Sequence, residues 1–455
     1  MVFDGKRVLV LGAARSGVAA AKVLHSKGAV VVVNDTADDV KLKGDAEELA
    51  TIGAELVSGG HPLSLLDRGF DLIVKNPGIP PSIPFLAEAR FRQIPVISEI
   101  ELAYQVSRGK MVTITGSNGK TTTTTWVGEM LKQDYDKVVV AGNIGIPLSI
   151  EAANCDPDTW LVVELSSFQL HDIIDFRSEV AVVLNVTPAH LDWHGDFASY
   201  LAAKTNAVKN QRHDDIAVLS ADNEYTMAMA KNAPGLVYLF SRKGEVEQGA
   251  FLKGEEIWIR LAGSEYALLS YKELGVGYGH NIENAMAASL VALASGVKPD
   301  SVRSALREFK GLPHRFQVVA RIEGRTFIND SKATNPGASE IALTLPGEPI
   351  ILIAGGLERN IDLAEFAGHI SKYCHYVVLI GQTAQRLAND LNAAGFSNYV
   401  IAANMEEAVP LAYKHSRSGD TILLSTGCAS WDMYSNYDVR GDDFIEQVGK
   451  LIINN

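Results

Sequence analysis

Cysteine is scarce in this 455-residue chain: Cys155, Cys374 and Cys428 are widely spaced and odd in number. That excludes a disulfide-stapled scaffold and suits a reducing compartment, so a cytoplasmic location is expected. No apolar run approaches the roughly 20 residues a membrane-spanning helix needs, so no membrane partner is expected. The opening Met1-Val-Phe-Asp-Gly-Lys-Arg lacks the apolar core and small-residue cleavage site of a signal peptide. Positive charge is also short. Lys plus Arg number 41 against 54 Asp plus Glu, a formal net charge of −13, which argues against nucleic acid as a partner. If the reactants are anions, the cations that hold them must be gathered locally; Lys120, Lys332, Arg315 and Arg359 are candidates. Solenoid repeats and low-complexity segments are missing too. A hydrophobic content of 47% and a charged content of 21% are those of an ordinary globular protein, and the length implies roughly two to four domains.

The most informative segment present is Thr113-Ile-Thr-Gly-Ser-Asn-Gly-Lys-Thr-Thr-Thr-Thr-Thr125. It follows an apolar lead and runs into a helix-like stretch, Trp126-Val-Gly-Glu-Met-Leu131. A strand, a glycine turn and a helix start make a phosphate cradle. Backbone N–H groups and the positive helix end face the anion, Lys120 adds a point charge, and Thr121 can offer a hydroxyl to Mg2+. Ile114 stands where the common nucleotide-binding pattern has its first glycine, so this is the shorter G-x-x-G-K-T form. ATP is the expected ligand. A glycine turn that merely caps a helix is the plainer alternative.

Three α/β blocks are expected, with boundaries at 1–98, 99–311 and 312–455. The first begins with a strand at 7–11, a turn Gly12-Ala-Ala-Arg-Ser-Gly17, an alanine-rich helix and a strand ending at Asn34-Asp35-Thr36, a Rossmann-like βαβ unit. It lacks the middle glycine of G-x-G-x-x-G, so a nucleotide or sugar-nucleotide is as good a ligand as NAD. The second holds the phosphate loop, apolar strands at 138–141, 160–164, 180–185 and 216–220, then alternating residues at 236–272 that read as an antiparallel meander. Gly279-His-Asn-Ile-Glu-Asn-Ala285 then opens a long helix. The P-loop-type block reads as a doubly wound parallel sheet. The third, another Rossmann-like unit, has β-like runs at 317–322 and 325–329 and strands at 350–354, 376–380 and 421–425.

Chemistry concentrates at predicted strand ends. Glu164 closes one strand and can reach Mg2+ beside the phosphate loop, or simply cap the next helix. His190 lies in Asn185-Val-Thr-Pro-Ala-His-Leu-Asp-Trp-His-Gly195, and Lys204 in a helical run where a lysine is usually solvated. His190, Asp192, His194 and Asp196 suggest zinc, but their spacing fits no standard zinc pattern. Asn329-Asp-Ser-Lys-Ala-Thr-Asn-Pro336 is dense in polar groups for a surface loop, although an Asx-rich turn with a proline stop is the alternative. Ser425-Thr-Gly-Cys-Ala-Ser430 precedes Trp431-Asp432 and suits a helix N-terminus facing an anion.

Together these motifs resemble the Mur ligase family over essentially the whole chain. Glu164-Leu-Ser-Ser-Phe-Gln169, Pro313-His-Arg-Phe316, Asp330-Ser-Lys-Ala-Thr-Asn335 and Cys428-Ala-Ser430 point to its D-glutamate-adding members. The resemblance implies an ATP-dependent amide ligase of peptidoglycan synthesis, with UDP-N-acetylmuramoyl-L-alanine and D-glutamate as partners and an acyl phosphate between them. It implies that Gly116, Ser117, Asn118, Gly119, Lys120, Thr121 and Thr122 cradle the ATP phosphates. Asn281 and Asn284 would contact adenine or ribose, and Arg315 and Asp330 complete the ATP site. Two Mg2+ sites draw on Thr121, Glu164, His190 and Lys204, the last carbamylated by CO2. Arg15, Ser16, Asp35 and Thr36 match the uridine diphosphate site, and Asn143 and His190 the muramoyl substrate. Lys332, Thr334, Arg359, Ser430 and the backbone at Tyr437 match the D-glutamate pocket. Lys332 joins Lys120, Glu164, His190 and Lys204 as catalytic groups. Leu357 stands where some members have a carboxylate, and Ala37 where some have arginine, so neither receives a role. A monomer whose third block swings onto the second is expected.

Overall fold

The computed structural model describes residues 2–38, 40–276, 281–346, 349–359 and 361–454. It divides into two compact units, Met1–Phe309 and Lys310–Asn455. The first unit holds two sheets. Arg7–Leu11, Val30–Asn34, Glu55–Val57, Leu72–Lys75 and Val96–Ser98 form an all-parallel five-stranded sheet. Its central strand is Arg7–Leu11, flanked by Val30–Asn34 and Leu72–Lys75. Strand order reverses there, which opens a crevice beyond the carboxyl ends of the strands. The Val-rich runs are buried on both faces, as parallel strands between helices require.

The second sheet has nine strands. From one edge it runs Val138–Gly142, Trp160–Glu164, Lys110–Thr115, Val180–Val183, Ile216–Ser220, Leu236–Ser241, Gly249–Lys253, Glu256–Leu261 and Ser264–Ser270. The expected meander over 236–272 is shorter than the alternation implied. Leu236–Ser241 pairs in parallel with both neighbours, and only the strands from Gly249 onward run antiparallel. Alternation reports one-sided burial, not strand direction. Glu55–Val57, Val96–Ser98 and Tyr399–Ile401 are too short to give a periodic signal and were not anticipated.

Helix Glu99–Val106 joins the two sheets. Ser98 caps it by accepting from Glu101 N at 3.3 Å. Ile100 and Ala103 enter the core of the larger sheet and Leu102 that of the smaller. Its buried acids are satisfied: Glu99 accepts from Ser149 N at 2.7 Å, and Glu101 from Ile174 N and Phe176 N at 2.8 and 2.9 Å. A second join is the buried pair of Lys75 and Asp172, 3.1 Å apart. Buried charges are tolerated only when paired in this way.

The second unit carries a six-stranded sheet in the order Gln317–Ile322, Arg325–Asn329, Thr421–Leu424, Ile350–Ala354, Cys374–Leu379, Tyr399–Ile401. The first pair is antiparallel and the rest parallel, with an apolar core on each face. One expectation fails here. No helix starts at Trp431; residues 431–436 form turns, and the helix is Tyr437–Asn454. Met433 N and Tyr434 N both bond the carbonyl of Ser430, which closes a turn instead of propagating a helix. In the first unit, Gly279 and His280 of the expected helix opening lie outside the described residues, and the helix is seen over Asn281–Ala294. Among the described residues no helix is long and apolar enough to cross a membrane.

Candidate active site

The phosphate loop links strand Lys110–Thr115 to helix Lys120–Lys132. Gly116 and Gly119 have φ of 152° and 85°, a region side chains disfavour. At Gly119 space decides as well: a Cβ there would lie 2.3 Å from Asn284 Oδ1. The loop is pinned from the next strand end, where Asn185 O accepts from Ser117 N and Asn185 Oδ1 from Asn118 N, both at 2.9 Å. Lys120 folds back, its Nζ donating to the carbonyls of Gly116 and Ser117 at 3.1 and 3.2 Å. The threonine run is helical despite its β-branching because Thr124 and Thr125 return hydroxyl bonds to Lys120 O and Thr121 O. Thr121 is half-buried at the helix start and Thr122 is buried. Asn284 is buried beside Gly119 and donates to Asn281 Oδ1 at 3.2 Å.

Glu164 ends the strand beside the loop, in register with Ile114. It does not cap the following helix; Ser166 and Gln169 form that capping box. Glu164 is 1% exposed. Its Oε1 accepts from Asn143 Nδ2 at 2.7 Å, while Oε2 is buried with no hydrogen-bond partner. A buried carboxylate oxygen left unpaired is costly, and a bound cation removes that cost. Asn143 is held in turn by its own N–H to Glu164 O at 2.9 Å.

Lys204 sits on helix Phe197–Lys209 but is not solvated: it is 2% exposed. Its Nζ donates to Gly116 O at 2.9 Å and lies 5.0 Å from the Tyr200 ring centre. Burial first, and then the charge of Lys120, hold it well below the usual lysine value. His190 has φ 55° and packs edge-on to Phe168 at 4.9 Å. Partial desolvation and then the charge of Lys120 lower its pKa.

The other members of the zinc-like run have different partners. His194 meets Ser167 Oγ at 3.0 Å and is pushed down to about 4 by burial, and Asp196 caps helix Phe197–Lys209 through Ser199 N. Among the described residues no group of three or more His, Cys, Asp and Glu is arranged for a metal ion. The unpaired Glu164 Oε2 beside the loop is an oxygen that a divalent ion could pair with.

At the edge of the five-stranded sheet, Arg15 Nη2 donates to Gly145 O at 3.0 Å and Ser16 Oγ accepts from Asn76 Nδ2 at 2.9 Å. Asp35 serves the turn itself: its oxygens accept from Ala13 N and Ala37 N at 2.7 and 2.8 Å. A carboxylate so engaged is less available to a ribose hydroxyl than the dinucleotide pattern requires. Thr36 is exposed beside it.

In the second unit, Asp330 accepts from Phe316 N at 3.1 Å and from Ser425 Oγ at 2.9 Å. Burial raises its pKa to about 7 against the opposing pull of those bonds and of Arg315. Lys332 Nζ donates to Tyr437 Oη at 2.8 Å and sits 4.4 Å from that ring centre. Thr334 is half-buried on the same loop and Ser430 is 2% exposed. Arg359 lies over Trp431, 4.7 Å from its ring centre. Sequence reasoning missed Arg440, which is 1% exposed and ties the two loops together. Its guanidinium donates to Ser331 Oγ, Ser331 O and Cys428 O at 2.9, 2.8 and 3.0 Å. Asn185 and Tyr200, whose hydroxyl lies 2.7 Å from Ser117 Oγ, were missed as loop supports as well. A polar residue straight after an apolar strand was the available signal for Asn185; an arginine on a helix offers none.

A largely parallel sheet bearing a phosphate loop, followed by a separate α/β unit, is a layout compatible with an ATP-using ligase. Family models match in the same order: Mur ligase MurD-like N-terminal domain over residues 6–98, Mur ligase middle domain over 114–292, and Mur ligase glutamate ligase domain over 314–428. The chain is 43% identical over 450 residues to a UDP-N-acetylmuramoylalanine--D-glutamate ligase of Geobacillus sp. (strain WCH70), covering 99% of this chain and 98% of that one. A protein of the same name from Enterococcus faecalis is 43% identical over 452 residues, with 99% and 98% covered. The fold is similar to that of UDP-N-acetylmuramate-alanine ligase MurC from Thermotoga maritima, with a TM-score of 0.58 at 20% identity over 98% and 100% of the two chains. It is also similar to MurF from Acinetobacter baumannii, at 0.59 and 17% over 84% and 86%. The chain belongs to the Mur ligase family.

Proposed function

We propose that this chain is an ATP-dependent ligase that joins D-glutamate to UDP-N-acetylmuramoyl-L-alanine in peptidoglycan synthesis. The observation that carries the reading is the meeting of three things at one sheet edge: a phosphate loop, the half-satisfied Glu164 and the buried Lys204. The printed name of the full-length relatives supplies the substrates.

The γ-phosphoryl group of ATP passes to an oxygen of the terminal alanine carboxylate, releasing ADP and leaving an acyl phosphate. The amine of D-glutamate attacks the acyl carbon and loses a proton, phosphate departs, and an amide remains. Transfer between anions needs charge neutralisation and alignment more than covalent help. Gly116 to Thr122 cradle the phosphates, with the Lys120 ammonium on the transferring group. Asn281 and Asn284 bound the nucleoside, and Arg315 and Asp330 complete its hold. Mg2+, at two sites held by Thr121, Glu164, His190 and Lys204, would supply Lewis-acid neutralisation of phosphate charge. Lys204 serves as a carbamate: a bare ammonium repels Mg2+, and an amine kept near neutrality is the form that takes up CO2. Asn143, held by Glu164, and His190 face the muramoyl substrate. Residues 1–98 take the uridine diphosphate through Arg15, Ser16, Asp35 and Thr36, and residues 99–311 take ATP. Residues 312–455 supply the amino-acid side, with Lys332, Thr334, Arg359, Ser430 and the Tyr437 backbone. In this reading the enzyme acts in the cytoplasm, which the scarcity of cysteine suits, and works as a monomer.

Phosphate release over a panel of D- and L-amino acids tests this. D-Glutamate supports release in the presence of the UDP-sugar and L-glutamate does not; support by another amino acid alone would assign the chain to a sister activity. Ligation that survives Lys120→Ala would remove the phosphate-loop assignment.

A further inference from the structure

We infer that Trp431 is a positioning residue that fixes the plane of the Arg359 guanidinium, so that its N–H edge is presented to a carboxylate of the incoming amino acid. This rests on the ligase reading above. Trp431 is 63% exposed, an unusual position for an indole, and Arg359 lies 4.7 Å from its ring centre. A guanidinium on an aromatic face keeps its donors in its own plane, where they remain free to form a two-pronged bond with a carboxylate.

The backbone under both residues is tightly held. Leu357 N donates to Ala429 O at 2.9 Å, and a Cβ at Gly356 would lie 2.3 Å from that same oxygen, so the two loops run in direct contact. Asp432 Oδ2 accepts from Gln382 N at 3.0 Å, which anchors the residue after the indole. The adjacent acid is directed elsewhere: Glu358 Oε2 lies 3.0 Å from Arg386 Nε. Among the described residues Arg359 has no carboxylate within ion-pair distance. In a chain with a net charge of −13, a cation braced by an aromatic ring and left without an acid is placed for an anion from outside.

The test is initial-rate phosphate release against D-glutamate at saturating ATP and UDP-sugar, with ATP titrated separately. Trp431→Leu should raise the KM for D-glutamate roughly two- to fivefold, the equivalent of one exposed cation–π contact. Its kcat and its KM for ATP should stay at wild-type values. Trp431→Phe, which keeps an aromatic face, should retain most of the affinity. In an Arg359→Ala background, Trp431→Leu should add nothing. An unchanged KM in Trp431→Leu, a parallel rise in the KM for ATP, or an equal effect with and without Arg359 would each overturn the inference while leaving the ligase intact. A wild-type enzyme that releases no phosphate with D-glutamate overturns the ligase reading, and this inference with it.

Discussion

Lys120 and Lys204 converge on one atom: both donate to the carbonyl oxygen of Gly116, at 3.1 and 2.9 Å. Two ammonium groups sharing an acceptor repel each other, and only Lys120 has partial access to water. Lys204, buried, therefore gives up its proton more readily. The phosphate cradle and the candidate carbamate are coupled through a single peptide oxygen.

That coupling predicts a trade of stability against activity. A lysine whose folded pKa is depressed binds fewer protons folded than unfolded, between that value and the ordinary 10.5. Wild-type stability therefore rises with pH through this window, and the burial penalty is complete below it. Lys204→Met should raise the unfolding midpoint at neutral pH by roughly 2–4 °C and flatten its pH dependence. It should also lower ligation by about 100-fold or more. Thermal unfolding from neutral pH to pH 10, with parallel activity assays, checks both halves. Bicarbonate should restore activity to CO2-depleted wild type and not to the variant.

Glu164→Gln keeps the acceptor for Asn143 and removes the charge behind the unpaired oxygen. We expect kcat to fall about 100-fold and the magnesium concentration for half-maximal rate to rise. Magnesium titration at fixed ATP is the measurement. An unaltered magnesium dependence would count against a metal-facing role for this carboxylate.

Asp330 offers a second pH signature, of opposite sign to a salt-bridged acid. Its folded pKa of about 7 exceeds the ordinary 3.8, so the folded unit binds the extra proton between those values. Stability present at low pH is lost as pH rises through that window, by at most on the order of 4 kcal/mol. Urea midpoints at pH 5 and pH 8 should differ in this direction for wild type, and the difference should shrink in Asp330→Asn. The slope is the diagnostic, since the amide also disturbs one of the bonds from Ser425 and Phe316.

Arg440→Met removes the buried donors to Ser331 Oγ, Ser331 O and Cys428 O, although Cys428 O still accepts from Thr426 Oγ1 and Ser331 Oγ still donates to Tyr437 O. The expected cost is roughly 2–4 kcal/mol, read from denaturant unfolding, with a raised KM for D-glutamate. Lys, which has no planar fork, should recover only part of either. A variant of wild-type stability would show that the two loops hold without this tie.

Much of the architecture was written in short-range pattern. Gly116, Gly119 and Lys120 between an apolar run and a helix start specify strand, turn and helix within a dozen residues, because steric limits on φ and helix capping act locally. The apolar runs likewise marked most of the strands, and the residues just after them marked Glu164, His190 and Asp330 as candidates. Direction was not written there: Leu236–Ser241 alternates like a meander strand yet pairs in parallel.

Partnership belonged to the folded chain alone. Whether Lys204 is solvated or buried depends on what packs against its helix, and nothing in Tyr200-Leu-Ala-Ala-Lys204 records that its amine meets Gly116, 88 residues away. Arg440 reaches Ser331 across 109 positions, and Trp431 serves as a bed for Arg359 because Leu357 and Ala429 hold two loops together. A side chain's charge and reach follow from its type, but its desolvation and its neighbours are set by packing between distant segments. Those two quantities decide which of the many lysines, arginines and acids here become chemical groups.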